Sequence, residues 1–532
     1  MTRTWVEGAA AAGWLNRERT IARPGFNRWL VPPAALAIHL SIGMAYGFSV
    51  FWLPMGRLLP YSPHCHVGFL AELTANDCNW TVPSLTPIFE TFIALLGLSA
   101  AVFGGWVERV GPRASGFVAA VCWGGGLLIG AGGVAIHQLW LVFLGVGVIG
   151  GIGQGLGYIT PVTTLIRWFP DRRGMATGFA IMGYGGGAMI GSPLAVWLMD
   201  RFSGAGSPGV AAALAVMGGI YFMAMSMGAF GFRVLPSHRP QAAPVKTGHM
   251  ITLRNVHFDQ AWKTPQFWLL WTVLCANVTA GIALISMASP MFQDVFGARL
   301  AGLPRGVDAD MTQVAEIAAA AAGLVGLISL FNSLGRLFWA SMSDHVGRKM
   351  TYAVFLALGA ALFACLPTLA HLGVAVAFVG AVCLIIAMYG GGYSTLPAYL
   401  ADIFGTRFVG AIHGRVLTAW SVAGVVGPAL IASLRQAQLQ AGLPKTQAYD
   451  VTLYLMAGLL VVGFVCNLLV RPVADTHFLE DLATPDAAPT CEVGIVARED
   501  HLGVLGALAW LAVGVPFLIG LYIALQGAAV LL

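Results

Sequence analysis

Arg336 sits eight residues before Asp344 in a long apolar run. In a helix rising 1.5 Å per residue, that separation is about 12 Å, too deep in a bilayer for the side chain to reach water easily. A cation there costs about 2.5–3.5 kcal/mol even on lenient insertion scales. Its planar fork of donors suits a carboxylate, held bidentately. The structural alternative is an arginine neutralised by a nearby acid or by helix carbonyls. Asn332, one turn earlier on the same face, is placed to orient the guanidinium or its ligand, and packing alone would explain it equally. His39 and Tyr46 are seven apart, while Gln154 and Tyr158, and Tyr389 and Tyr393, are each four apart. Each pair therefore shares a helix face, and Asn277 stands mid-helix. Phenols and amides can box a small carboxylate without adding charge, although aromatic residues in membranes also serve as packing and interface anchors. His39 titrates in the range a proton site requires; it reads equally well as a histidine satisfied inside the membrane.

The elements that must hold these groups are transmembrane helices. The chain has 532 residues, 58% hydrophobic and 10% charged, against about 25% charged in soluble proteins. A formal charge of +5 is too small to imply nucleic acid. Apolar runs of roughly 20 residues, enough to span a bilayer, fall near 30–54, 84–105, 114–136, 139–166, 175–199, 209–233, 266–290, 314–340, 350–370, 373–399, 411–434, 449–470 and 503–528. The predicted class is an all-α polytopic membrane protein. With the N-terminus in the cytoplasm, the inner segments hold 21 Lys and Arg and the outer loops 6, the asymmetry of the positive-inside rule. Residues 1–28 read as a cytoplasmic lead-in with no cleavable signal peptide.

The chain repeats. GGWVERVGPR, beginning at Gly104, follows the second span, and ASMSDHVGRK, beginning at Ala340, follows the eighth. An offset of 236 residues takes Glu108 to Asp344, Gly111 to Gly347, Pro161 to Pro397, Gly174 to Gly410, Gly178 to Gly414 and Gly191 to Gly427. Two parallel six-span halves, 29–233 and 264–471, joined by the linker 234–263, predict alternating access around a site at mid-membrane. Glu108 and Asp344, with Arg109, Arg113 and Arg348 beside them, read as gating groups that pair in one conformation and separate in another. Arg336 falls on Ala100 in the repeat, so the scaffold itself does not require the cation.

These loop motifs resemble the signature of the major facilitator superfamily. Within it, GMAYGFSVFWLP from Gly43, RWFPDRRGMATG from Arg167, TPQFWLLW from Thr264, FNSLGRLFWASMSDHVGR from Phe331 and GGGYSTLPAYLADIFG from Gly390 resemble the oxalate/formate antiporter family, which also holds monocarboxylate carriers. The resemblance covers about residues 30–470. It implies that Arg336 binds the anion and that Tyr46, Tyr158, Tyr389 and Tyr393 border it. Oxalate carriers of that family use a second cation, a lysine in span eleven, where this chain has Trp420. His413 and Arg415 stand at the start of that span and read as too shallow to replace it. One buried cation balances a monoanion and leaves a dianion half-compensated, so a monocarboxylate is expected, moved by exchange or proton symport.

An oxalate/formate exchanger, an exporter of larger amphipathic compounds and a non-transporting nutrient sensor are the competing readings. No enzyme chemistry, cofactor or metal is expected. The glycines 145, 147 and 150 spell a nucleotide fingerprint without its strand, and His64-Cys65-His66 lacks further ligands. The expected partners are the anion, the lipid bilayer of a bacterial inner membrane and, in a symporter, protons; the expected assembly is a monomer. The acidic linker 472–502 leads to the unpaired span 503–532, which resembles the one-span subunits encoded beside some of these carriers and would put the C-terminus outside.

Cys65 and Cys78 share one polar loop on the outer side, where an oxidising compartment permits a disulfide; free thiols or metal binding are the alternatives. The crosslink would restrain the unfolded chain by roughly 3 kcal/mol. Mass mapping of the non-reduced protein is expected to find one peptide joining Cys65 to Cys78. Alkylation of both without reduction would exclude the bond.

Overall fold

The computed structural model describes residues 13–59, 69–74, 79–204, 208–235, 250–300, 311–479 and 503–529. Cys65 and Cys78 lie outside the described residues. Among the described residues, thirteen helices are long and apolar enough to cross a membrane. In chain order they are α1 Arg28–Met55, α2 Ser84–Val110, α3 Pro112–Ala135, α4 Leu139–Trp168, α5 Arg173–Phe202, α6 Val210–Gly231, α7 Pro265–Gly297, α8 Gly323–Val346, α9 Arg348–Leu372, α10 Ala375–Phe404, α11 Val409–Gln440, α12 Asp450–Leu469 and α13 Gly506–Ile523. The end of the bundle that carries the loops after α2 and α8 is called the basic end below.

Local chemistry sets the helix ends. Gly111 and Gly347 hold φ at 85° and 93°, a region that side-chain-bearing residues rarely enter. Each makes the tight turn into α3 or α9 on the basic end. Proline at the start of α3 and α7 is pre-set for the first helical turn and gives up an N–H that would have no partner there.

Three helices bend at irregular stretches. In α1 the residues Gly43–Phe51 form a 3-10 helix, which carries Tyr46. In α4 a π-helical stretch, Phe143–Gly150, precedes the α-helix Gly151–Trp168. In α11 the helix divides into Val409–Val416 and Thr418–Gln440. The glycines of the apparent nucleotide motif lie in the π stretch, where a Cβ at Gly145 would come within 2.5 Å of the Gly126 carbonyl. They serve close helix packing.

Helices α1–α6 form one half and α7–α12 the other. The halves meet along two related seams, α5 against α8 and α2 against α11. Their correspondence extends to single atoms. A Cβ on Gly178 of α5 would lie 3.0 Å from the carbonyl oxygen of Arg336, and one on Gly414 of α11 would lie 2.2 Å from that of Ala100.

The helix α13 packs outside this frame, across α5, α8 and α1. Trp510 stacks edge-on against Phe179 and donates its indole N–H to the Trp29 carbonyl at 3.1 Å. Val513 and Phe517 join Leu36, Met182 and Leu337 in a small apolar cluster. The opposite side of α13 exposes Leu518 and Tyr522, as a lipid-facing helix does. A Cβ on Gly186 would come within 2.6 Å of the Phe517 ring, so glycine there lets α13 approach α5 this closely. Gly186→Leu is expected to lower the thermal midpoint of the purified protein by several degrees. In a chain ending at residue 502 the same substitution should cost much less, since sites in contact do not act additively. Equal losses in the two backgrounds would place the strain elsewhere.

Candidate functional site

Arg336 is fully buried at the α5–α8 seam. Its Nε donates to Asn332 Oδ1 at 3.1 Å and its Nη1 to the Ile181 carbonyl at 3.0 Å. Its Nη2 reaches the Tyr46 hydroxyl at 3.5 Å. A guanidinium has five N–H donors, so two remain for a ligand. Among the described residues no carboxylate pairs with it. The rings of Tyr46, Tyr184 and Tyr393 surround its charge, with centroids 5.7, 5.8 and 5.4 Å from Cζ. Gly185 gives it room, because a Cβ there would lie 3.0 Å from Nε.

The other candidates from the sequence gather around this cation. The Tyr46 and Tyr389 hydroxyls are 3.3 Å apart, linking α1 to α10 across the halves. Asn277 donates to the Tyr389 carbonyl at 3.3 Å and so fixes α7 against α10. Tyr158 packs against Tyr393 at 5.3 Å and Trp420 packs against Tyr393 at 6.2 Å. The hydroxyls of Tyr158, Tyr184 and Tyr393, the Trp420 indole N–H and Thr395 Oγ1 have no hydrogen-bond partner among the described residues. Leaving such groups unpaired in an apolar interior costs about 1–3 kcal/mol each. That cost is acceptable where the groups serve a ligand.

Two candidates take structural posts. Gln154 donates to the Ile42 carbonyl at 2.8 Å and straps α4 to α1 where the 3-10 stretch begins. Both ring nitrogens of His39 face backbone carbonyls, those of Ala180 and Tyr158, tying α1 to α5 and α4.

The sequence reading passed over two residues of this cluster. Tyr184 lies in a glycine-rich stretch of α5 that looks like packing alone; only its place beside Gly185 hints at the cation. His413 is expected at the start of α11, too shallow to replace a lysine deeper in that span, and it stands there, three residues from Gly410. It is buried to 1% exposure, with its ring 5.6 Å from Tyr158. The first segment of α11 starts inside the bundle, because its N-terminal end is drawn against α2 and α4. Arg415 matches expectation: it binds Asp259 and the Phe258 carbonyl at the rim.

The basic end is closed by charge. Asp344 at the end of α8 accepts from the backbone N–H groups of Gly174 and Met175 at 2.9 Å each, capping α5 of the other half. Glu108 at the end of α2 accepts from the Gly410 N–H at 3.2 Å, capping α11. A carboxylate on a helix N-terminus gains from both the free N–H groups and the helix dipole. Arg167 pairs with Glu108, and Arg348 with Asp344. Asp402 of α10 accepts from Arg173 at 2.8 Å across the halves and from Arg348 at 3.2 Å within its own. Arg109 and Arg113 take no part in these interhalf links. Arg109 bonds the Gly105 carbonyl one turn back, and Arg113 bonds the Trp14 and Phe230 carbonyls. A cavity of about 390 Å3 lies beside the gate, lined by Arg173, Asp344, Arg348 and Asp402 among others, whose charges already pair with one another.

Comparison with known proteins agrees with this architecture. The family model described as Major Facilitator Superfamily matches residues 25–428 and 306–531. The chain belongs to the major facilitator superfamily. It is an integral membrane protein. It is 31% identical over 286 residues to the oxalate:formate antiporter of Oxalobacter formigenes, covering 54% of this chain and 61% of that protein. It is 27% identical over 343 residues to the apicoplast pyruvate carrier 1 of Toxoplasma gondii, covering 54% and 59%. Each match thus spans less than two thirds of the relative. The E. coli fucose:proton symporter shares the fold, with TM-score 0.55 at 12% identity over 83% of this chain and 98% of that one.

Within a superfamily built on alternating access, the capped helices make a specific demand. Asp344→Asn removes the charge from two N–H bonds and from Arg348, and each charge-assisted bond contributes about 1.5–3 kcal/mol. Opening at the basic end is expected to become at least tenfold more populated. The readout is the alkylation rate of a cysteine placed at Ala398, between site and gate, in a background free of other cysteines. An unchanged rate would show that the caps do not hold the gate.

Proposed function

We propose that this transporter carries a small organic monoanion, a monocarboxylate such as formate, lactate or pyruvate, bound to Arg336 at mid-membrane. The observation that carries the reading is the unpaired guanidinium, fully buried and ringed by tyrosines, with two N–H donors unspent. A carboxylate supplies both what the charge needs and what those donors need. Tyr46, Tyr158, Tyr184, Tyr389 and Tyr393 are the hydrogen-bonding wall, with Asn332 orienting the guanidinium and Trp420 closing the side toward α11.

Charge balance argues for a monoanion. Trp420 is neutral, and the groups around Arg336 bring no second permanent cation. Two relatives carry related cargo by name, the oxalate:formate antiporter and the pyruvate carrier, which supports the organic-anion class and leaves the particular anion to charge. The excess of Lys and Arg on the basic end supports placing that end in the cytoplasm of a bacterial inner membrane. The gate described above is then the cytoplasmic one.

Uptake into proteoliposomes of radiolabelled formate, lactate, pyruvate, acetate, glyoxylate and oxalate tests the reading. At least one monocarboxylate should be transported and should outcompete oxalate. Arg336→Ala is expected to weaken it at least a hundredfold, from the loss of two charge-assisted bonds, and Arg336→Lys to recover only part, because an ammonium lacks the planar fork. Undiminished uptake by the alanine variant, or oxalate as the tightest competitor, would overturn the proposal.

A further inference from the structure

We propose that His413 is the proton-binding residue of this carrier, so that a proton travels with the anion; the inference rests on the anion reading above. The imidazole is buried to 1% exposure, and neither ring nitrogen has a hydrogen-bond partner among the described residues. A buried imidazole without partners is a group with unused binding capacity. His39 is the contrasting case, since both its nitrogens already face carbonyl oxygens.

The scaffold does not need a histidine at this place. The repeat offset of 236 pairs His413 with Thr177 of α5, a hydroxyl that only bonds the Arg173 and Gly174 carbonyls of its own helix. The same offset pairs Arg336 with Ala100. The C-terminal half therefore carries both basic groups, each opposite a neutral counterpart in the other half, and the two lie on either side of one tyrosine layer. Tyr158 meets His413 at 5.6 Å and Tyr393 at 5.3 Å, and the Tyr393 ring lies 5.4 Å from the guanidinium carbon. The Tyr158 and Tyr393 hydroxyls have no hydrogen-bond partner among the described residues and belong to the layer that separates the two.

Electrostatics then links the two ligands. With Arg336 unpaired, an imidazolium nearby is a second uncompensated charge in a low-dielectric core. An anion on Arg336 removes that repulsion, so anion and proton favour each other's binding, reciprocally. Other charges near this end of α11 are already paired: Glu108 with Arg167, Asp402 with Arg173 and Arg348, and Arg415 with Asp259. α7 carries no charged side chain before Asp294. His413 is also three residues from Gly410, whose N–H Glu108 holds in the gate, which puts the proton between the anion and the moving helix end.

The test compares two assays in proteoliposomes, using whichever monocarboxylate the wild type exchanges. Counterflow, in which labelled and unlabelled anion swap at equal pH, needs no net proton movement. Accumulation driven by an inward proton gradient needs it. His413→Gln is expected to keep counterflow within about threefold of wild type and to lose gradient-driven accumulation at least tenfold, with acidification of a trapped pH dye lost in parallel. Gradient-driven accumulation that survives the substitution would overturn the proposal, as would a wild type that exchanges but never acidifies the lumen. Loss of counterflow in the variant, with the protein still monodisperse, would also overturn it, by making His413 part of anion binding or gating. A wild type without counterflow of any monocarboxylate would sink the anion reading itself.

Discussion

The arrangement of this carrier follows from one cost, that of keeping a guanidinium in the middle of a membrane. A charge there is stable only if the protein replaces the water it has lost. The replacement here is incomplete by design of the neighbourhood. Asn332, the Ile181 carbonyl and Tyr46 satisfy three donors, and three tyrosine rings lend the negative faces of their quadrupoles. These groups stabilise the cation without neutralising it. An aspartate in place of any tyrosine would do so and would compete with an anionic ligand for the same two N–H groups. Glycine at 185 completes the arrangement, because a Cβ there would crowd the guanidinium at 3.0 Å from Nε.

The two halves show how such a site arises on a repeated scaffold. The helix crossings recur at the same offset: Gly178 on Arg336 in one half, Gly414 on Ala100 in the other. The side chains at the crossing are exchanged rather than repeated. Gly185 corresponds to Ser421, and Ser333 to Gly97. On one seam the glycine makes room for Arg336. On the other, the Ser421 hydroxyl accepts from the Gly97 N–H at 3.1 Å and donates to the Ile93 carbonyl at 2.9 Å, so one side-chain hydroxyl joins α11 to the backbone of α2. The gate keeps its symmetry, with one carboxylate capping a helix of the opposite half at each seam, because closing is a mechanical task both halves share. Binding is local, and needs only one cation.

This division explains what could be read from the sequence. The thirteen spans and the repeat are legible because bilayer thickness and hydropathy dictate them residue by residue. Arg336 is legible because a lone charge in an apolar run is costly, and Tyr389 and Tyr393 because a four-residue spacing puts them on one face. Asp402 and Arg173 are not. Both stand at helix ends where charges are ordinary, and only the folding of α5 onto α10 brings them together. His413 stands near the start of α11, as its place in the sequence implies; its burial is not legible there, because it comes from the packing of that segment against α2 and α4. Gln154, Arg109 and Arg113 were read for their chemistry, yet their partners are backbone carbonyls, which sequence patterns do not reveal. The cysteine loop lies in a segment the described residues do not include.

The position of α13 adds a constraint that twelve helices do not have. It touches α5 and α8 at once, and these belong to different halves. Gly185 faces the guanidinium while its neighbour Gly186 faces Phe517, so one turn of α5 is pressed between the site and the added helix. Leu337, next to Arg336, packs into the same apolar cluster as Val513. Any rotation of α5 against α8 must therefore slide both helices under α13 or carry it along. In a bilayer the flanking lipid would impose no such condition, since acyl chains repack at little cost. A helix bound by a tryptophan hydrogen bond, a ring in a glycine notch and a shared apolar cluster does not repack so freely. The seam beside the cation thus has a fixed wall behind it, whereas the α2–α11 seam, which lacks both the cation and the added helix, has none among the described residues.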